Sequence, residues 1–316
     1  MATKDSAETT GSTAEVVDWK TKLKYVLNDD FVRSLPFWGI PFVIMGAAVY
    51  GGIGYTVAIS FTDYQGLSEP DFSSLDFEMY QQAFASEAFL QAAQNNLVLL
   101  VAFTSISLVL GLFLAILLDQ DIRYNETIQT IYLMPMALSF VITAQLWLWM
   151  FNQDFGILNL ILTTFGLPAV SWIGNPQIAL GSVIFALIWQ FSGYTMVVYL
   201  AGLQSLPDDQ FEAARVDGAS TIRTYVRVII PQLKEASVSA AVVLMVFALK
   251  AFTFLYSLTG RYRPPTGTDI LATLMVREAF RDAEWAYSAA IATMLLLMAL
   301  GVIAPYLYYQ HRQGSL

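Results

Sequence analysis

Residues 96–118 read NLVLLVAFTSISLVLGLFLAILL, 23 consecutive positions without a charged side chain. The hydrocarbon core of a bilayer is about 30 Å thick and takes about 20 apolar residues of α-helix to cross. This stretch is long enough, and uncharged intervals like it recur along the chain. Of the 316 residues, 56% are hydrophobic and only 13% charged, whereas a soluble domain carries about a quarter charged residues. Sixteen Lys and Arg with 25 Asp and Glu cannot coat a soluble surface around that much apolar mass. High hydrophobicity with an acidic balance also excludes a disordered, collagen-like or nucleic-acid-binding chain. The absence of cysteine excludes a disulfide scaffold, a zinc cluster and a thiol nucleophile. The composition is that of a membrane protein.

Working outward, uncharged intervals place a first span near Phe37–Phe61, before the 96–118 span, which lies between Glu87 and Asp119. A third is expected from about Ile128 to Phe151. Between Phe155 and Pro207 no residue is charged, too long an interval for one helix, and Gly166, Pro168, Gly174 and Pro176 divide it. A half-buried helix at 156–165 and a fourth span at about Ile178–Leu203 follow. The fifth is expected at about Ala236–Leu258 and the sixth at about Trp285–Tyr309. The fold class is all-α: a polytopic membrane protein with about six transmembrane helices. Residues 1–35 are expected as a polar tail, disordered over 1–17, in which WKTKLKYVLNDDFVRSL reads as a short amphipathic surface helix. No basic segment leads at once into a short apolar core and cleavage site, so no cleaved signal peptide is expected. The transmembrane domain is expected over 36–310, with 311–316 as a short tail.

Orientation follows Lys and Arg in short loops. Six spans put both termini on one side, with Lys4, Lys20, Lys22, Lys24, Arg33, Arg123, Arg215, Arg223, Arg227, Lys234 and Arg312. Only Arg261, Arg263, Arg277 and Arg281 fall on the other, and Lys250 falls inside span five. Both termini are therefore expected in the cytoplasm. Acids leave both faces net negative, and the chain carries −9 overall. Such self-repulsion is tolerated where salt screens it, which points to a host with a salty cytoplasm.

One loop is too regular to be a connector. Residues 204–234 include LPDDQFEAARVDGASTIRTYVRVIIPQL. Ser205, Pro207 and Asp208 form a helix-start signature. A helix over Asp208–Asp217 is expected to stop at Gly218, which tolerates left-handed geometry. A second short helix follows, with Ile222, Tyr225, Val226 and Ile229 on one face, closed by Pro231. The bland alternative is a pair of amphipathic connectors lying on the bilayer.

Glu212-Ala213-Ala214, three residues, Gly218, nine residues, then Val228-Ile229-Ile230-Pro231 resembles the EAA loop of the inner-membrane permease subunits of binding-protein-dependent ABC importers. Valine and isoleucine at 228 and 230 are conservative departures from that pattern. The segments Trp149-Met150-Phe151-Asn152, Ile188-Trp189-Gln190 and Leu258-Thr259-Gly260 are similar to the carbohydrate branch (sugar and glycerol-phosphate). Arg261 and Tyr262 stand where that branch usually has glycines. The resemblance covers roughly residues 35–310.

It implies a permease in the cell membrane that pairs with a second, different permease subunit. It further implies two cytoplasmic ATPase subunits, an extracytoplasmic solute-binding protein, and a sugar or related polyol as cargo. ATP and Mg would sit on the ATPase, because this chain has no GxxxxGK[ST] phosphate loop; no cofactor of its own is expected. Coupling to the ATPase would be carried by Glu212, Ala213, Ala214, Asp217, Gly218 and Pro231.

Candidates to line the solute path are Asn95, Asn96, Gln145, Trp149, Trp189, Gln190, Tyr194, Lys250, Phe252 and Tyr256, since sugars are held by hydrogen bonds and aromatic stacking. Most membrane aromatics are packing or interfacial residues. A cation within a span usually faces a protein interior or a water-filled path, so Lys250 is either path-facing, paired, or snorkelling. No catalytic or metal set is expected: the single histidine, His311, lies in the predicted tail, which argues against a Ser-His membrane hydrolase. The alternative to an ABC permease is a secondary transporter or channel that works without an ATPase.

Overall fold

The computed structural model describes residues 30–120, 123–260, 264 and 267–312. Every described element is helical. In chain order they are α1 (Asp30–Ile59), α2 (Glu78–Ala85), α3 (Glu87–Asp119), α4 (Asn125–Leu133), α5 (Phe140–Met150) and α6 (Ile157–Thr164). Then come α7 (Ala179–Gln204), α8 (Asp208–Val216), α9 (Thr221–Leu249), α10 (Phe252–Thr259), α11 (Leu271–Phe280) and α12 (Trp285–Arg312). Five helices are long and apolar enough to cross a bilayer, and a sixth crossing results if the bent pair formed by α4 and α5 is counted as one. The expected all-α polytopic fold is what the chain adopts.

Residues up to Tyr55 and from Thr56 onward form two units, and α1 lies mostly in the first. It begins at Asp30 and runs through Pro36 and Pro41, so the end of the expected amphipathic surface helix is already part of the first span. The remainder of that segment, and the tail 1–17, lie outside the described residues. At the other terminus α12 continues to Arg312, so the predicted tail starts inside a helix.

Two expected spans are broken. The third is not one helix over 128–151: the segments 125–137 and 140–150 meet at 99°. Pro135 lies in the 3-10 turn Met134–Ala137, where its missing N–H interrupts the ladder. Ser139 then caps a new helix, its hydroxyl accepting from the Ile142 N–H. The fifth is not one helix over 236–258. It starts earlier, at Thr221, and ends at Leu249. Lys250 and Ala251 leave the helical path with ψ of 15° and 12° before α10 begins. Pro231 therefore does not close a short helix. It sits in a 3-10 turn, Ile230–Leu233, that continues into the membrane helix.

Within the second unit α3 packs along α7. A Cβ at Gly111 would collide with the Thr195 hydroxyl, and that hydroxyl donates to the Ser107 carbonyl at 2.9 Å. Lipid supplies little hydrophobic drive between helices, so close approach at small residues and interhelical hydrogen bonds hold them. Gly193 serves likewise, its missing side chain making room for the Tyr132 carbonyl of α4. The central core gathers Phe103, Trp147, Phe191, Leu244 and Phe254. A second cluster joins Leu114, Leu118, Tyr199 and Leu203 to Tyr225, Ile229 and Leu233.

Candidate coupling surface and translocation path

The 204–234 loop folds into an elbow at the α3–α7 end of the unit. Its first helix is α8, but Ser205 does not cap it: the Ser205 hydroxyl donates to the Gly202 carbonyl and closes α7 instead. Gly218 has φ +70°, the left-handed geometry that glycine adopts without steric cost. Across it the Ala219 N–H reaches the Ala214 carbonyl at 3.0 Å, a Schellman closure of α8. Ser220 then caps α9, its hydroxyl accepting from the Arg223 N–H.

The two helices divide into a buried and a free face. Ala214 is buried, and Tyr225, Ile229 and Leu233 are buried against α3 and α7. Glu212, Ala213, Asp217 and Gly218 are exposed, as are Val216 at 87% and Ile222 at 78%. The expected stripe of Ile222, Tyr225, Val226 and Ile229 is thus split, because Val226 also faces out. The turn from Tyr225 to Ile229 is π-helical, with the Ile230 N–H bonded to the Tyr225 carbonyl. That extra residue per turn rotates the buried stripe onto Tyr225, Ile229 and Leu233. Ala213, Val216, Ile222 and Val226 are thus exposed on the elbow, as are Glu212 and Asp217.

Of the path candidates, several hold the scaffold. Asn95 donates to the Asp269 carbonyl at 2.8 Å, and the Asn96 Oδ1 accepts from the Leu271 N–H at 3.0 Å. Both asparagines therefore fasten the start of α11, and the buried Asn96 amide nitrogen has no hydrogen-bond partner among the described residues. Gln190 is buried and donates to the Leu138 carbonyl at 3.0 Å, securing the bend between α4 and α5. Gln145 donates to the Ser257 carbonyl at 2.6 Å and joins α5 to α10. These two short helices, each following a break in a predicted span, pack against each other. Trp149 is exposed on α5. On α10, Tyr256 stacks with Phe252, the ring centroids 5.5 Å apart. Tyr194, on α7, and Trp189 are partly buried against the central core. Lys250 is exposed at the end of α9 and forms no ion pair among the described residues.

Two features have little sequence signal. One is the Tyr225 hydroxyl at the end of α3, which accepts from Gln120 at 2.7 Å and donates to Asp119 at 2.6 Å. The other is Arg277, 2% exposed, paired with Asp269 at 2.7 Å. The break between α4 and α5 did have a signal, since Pro135 interrupts the helix ladder.

Residues 107–313 match the family described as the binding-protein-dependent transport system inner membrane component. The chain belongs to this family. The match spans the elbow and four of the long helices or bent pairs, and it removes the secondary-transporter and channel alternatives. This permease is 74% identical to a xylose/arabinose import permease protein of Haloferax volcanii over 317 aligned residues, covering 100% of each chain. It is 48% identical to a probable ABC transporter permease protein of Pyrococcus horikoshii, over 85% of this chain and 92% of that one. Among solved structures it resembles a subunit of a bacterial ABC transporter for import of the acidic polysaccharide alginate. The TM-score is 0.78 at 22% identity, with 92% of this chain and 99% of that chain covered. At that identity the likeness concerns the fold. The chain is a multi-pass transport subunit.

Proposed function

We propose that this permease forms one half of the path for a sugar in an ABC importer, with the 208–226 elbow as its contact to a cytoplasmic ATPase. The exposed apolar face of the elbow carries this reading: Ala213, Val216, Ile222 and Val226 lie free beside Glu212 and Asp217. Ala213 allows close approach and Gly218 sets the angle between the helices, while Ala214 is buried inside the elbow and Pro231, exposed, shapes the 3-10 turn that leads into the membrane helix. Two ATPase subunits supply ATP and Mg, a second and different permease completes the pore, and an extracytoplasmic binding protein delivers the solute. The family description supports the binding protein. The Lys and Arg bias supports cytoplasmic termini. Similarity to the Haloferax permease supports a pentose such as xylose or arabinose as cargo and a host with a salty interior.

Gly218→Val tests the coupling contact. A Cβ there meets nothing within 4 Å in this chain, so the protein inserts and folds with only the left-handed backbone cost of about 1–2 kcal/mol. Uptake should be lost together with copurification of the ATPase; normal uptake would sink the assignment. Ligand screening of the cognate binding protein, measured by its thermal shift with pentoses and hexoses, tests the cargo.

A further inference from the structure

The elbow is tied to the transmembrane helices through one aromatic side chain. The Phe211 ring, on α8 next to Glu212, lies edge-on to the Tyr225 ring, centroids 6.0 Å apart. Tyr225 is 6% exposed, and its hydroxyl is held between Asp119, the last residue of α3, and Gln120, which caps it. A hydrogen bond to a carboxylate is roughly twice as strong as a neutral one. The end of α3 is also gripped from the far side, where the Asn125 amide donates to the Leu118 carbonyl at 2.7 Å. Beyond it, α3 is locked along α7 through Gly111, Thr195 and Ser107. The backbone that carries Tyr225 is a π-helical turn, a local irregularity that helices use mostly at functional positions.

Resting on the coupling assignment above, we propose that Tyr225 is a positioning residue. Its hydroxyl clamp on Asp119 and Gln120 makes the inner end of α3 move as one body with α8 when the ATPase closes. Phe211 passes displacement of α8 to the Tyr225 ring, and the hydroxyl passes it to α3, and so to the α3–α7 pair. Packing of Tyr225, Ile229 and Leu233 sets where the elbow rests; the clamp sets whether α3 follows.

The chain has no cysteine, so paired spin labels can be placed at Asp209→Cys on α8 and Leu117→Cys on α3, both exposed. Distances are measured in the complete transporter in proteoliposomes, without nucleotide and with ATP and vanadate. In the otherwise native chain the separation should be the same in both states. In Tyr225→Phe it should match the native value without nucleotide and shift or broaden with ATP and vanadate. Should Tyr225→Phe fail to fold, the double variant Asp119→Ala, Gln120→Leu removes the clamp from the α3 side and should give the same shift. A native pair that already separates with nucleotide overturns the proposal, as does a clamp-deleted pair that stays fixed. The Gly218→Val preparation, run alongside, tests the underlying assignment separately: if it retains its ATPase and its uptake, the coupling surface itself is misplaced and the clamp falls with it.

Discussion

Arg277 and Asp269 are joined by a 2.7 Å ion pair at the start of α11, with the guanidinium 2% exposed. The Asp269 carboxylate also accepts from the Thr273 hydroxyl at 2.5 Å, and the neighbouring Asp269 carbonyl accepts from Asn95 of α3. The arginine is therefore a structural fastening between α3 and α11. In the sequence it counts against cytoplasmic termini; buried and neutralised, it carries little weight in a rule about exposed loop charge.

Breaking that pair from one side should be costly. Asp269→Ala removes the closer partner of a buried cation and leaves Glu278 at 3.6 Å, and a loss of about 2 kcal/mol is expected. It would be read as a lowered unfolding midpoint in detergent. The double variant with Arg277→Met should recover part of it, because the buried cation is gone while Glu278 loses its pairing with Arg277.

Asn96 and Gln190 should behave as scaffold residues. Asn96→Ala leaves the buried Leu271 N–H without its acceptor, at a cost of about 1–3 kcal/mol. Gln190→Leu removes the bond that pins the bend at Leu138, and about 1 kcal/mol is expected. Both variants should lower the yield of folded protein, with the apparent KM of the surviving transporter unchanged. A raised KM at normal yield would instead place them against the solute.

Lys250→Met is expected to do the opposite. Lys250 is exposed beside the break between α9 and α10, and its charge at a helix C-terminus is worth about 0.3–1 kcal/mol. Protein level should therefore hold while transport kinetics change. Unaltered kinetics with a lowered level would assign it to structure alone.

Glu278 gives a pH dependence of known sign. Partial burial raises its carboxyl above the ordinary 4.5, Arg277 opposes that, and Asp282 and Glu284 add to it. The folded protein then holds the proton more tightly than the unfolded chain. Stability present below 4.5 falls as pH rises from there through the raised value, and is flat above it. Unfolding midpoints of Glu278→Gln against pH should lack that decline.

Net charge of −9 predicts a dependence on salt. Dialysis of the purified protein from molar to millimolar NaCl should loosen it, seen as a lower unfolding midpoint and a larger hydrodynamic radius, because the Debye length grows from about 3 Å at 1 M to about 30 Å at 0.01 M. Identical behaviour at both ends would remove the salty-interior reading.

Residues 96–118 could be read as a span by themselves because a bilayer demands length and lack of charge, both visible in one dimension. The same holds for Gly218, whose left-handed φ follows from the lack of a Cβ, and for α8, whose punctuation is local. The Phe155–Pro207 interval divided where its glycines and prolines predicted, into α6 and α7. Other features were decided only in three dimensions. No one-dimensional count shows that Lys250 and Ala251 end a helix amid apolar residues, or that Ile222 and Val226 face away from Tyr225 across a π-helical turn. Nor does spacing show that Asn95 and Asn96 on α3 bind a segment more than 170 residues away. Those outcomes depend on which donors and acceptors packing brings together. In this chain the long contacts gather at the breaks and the elbow, where local rules give out.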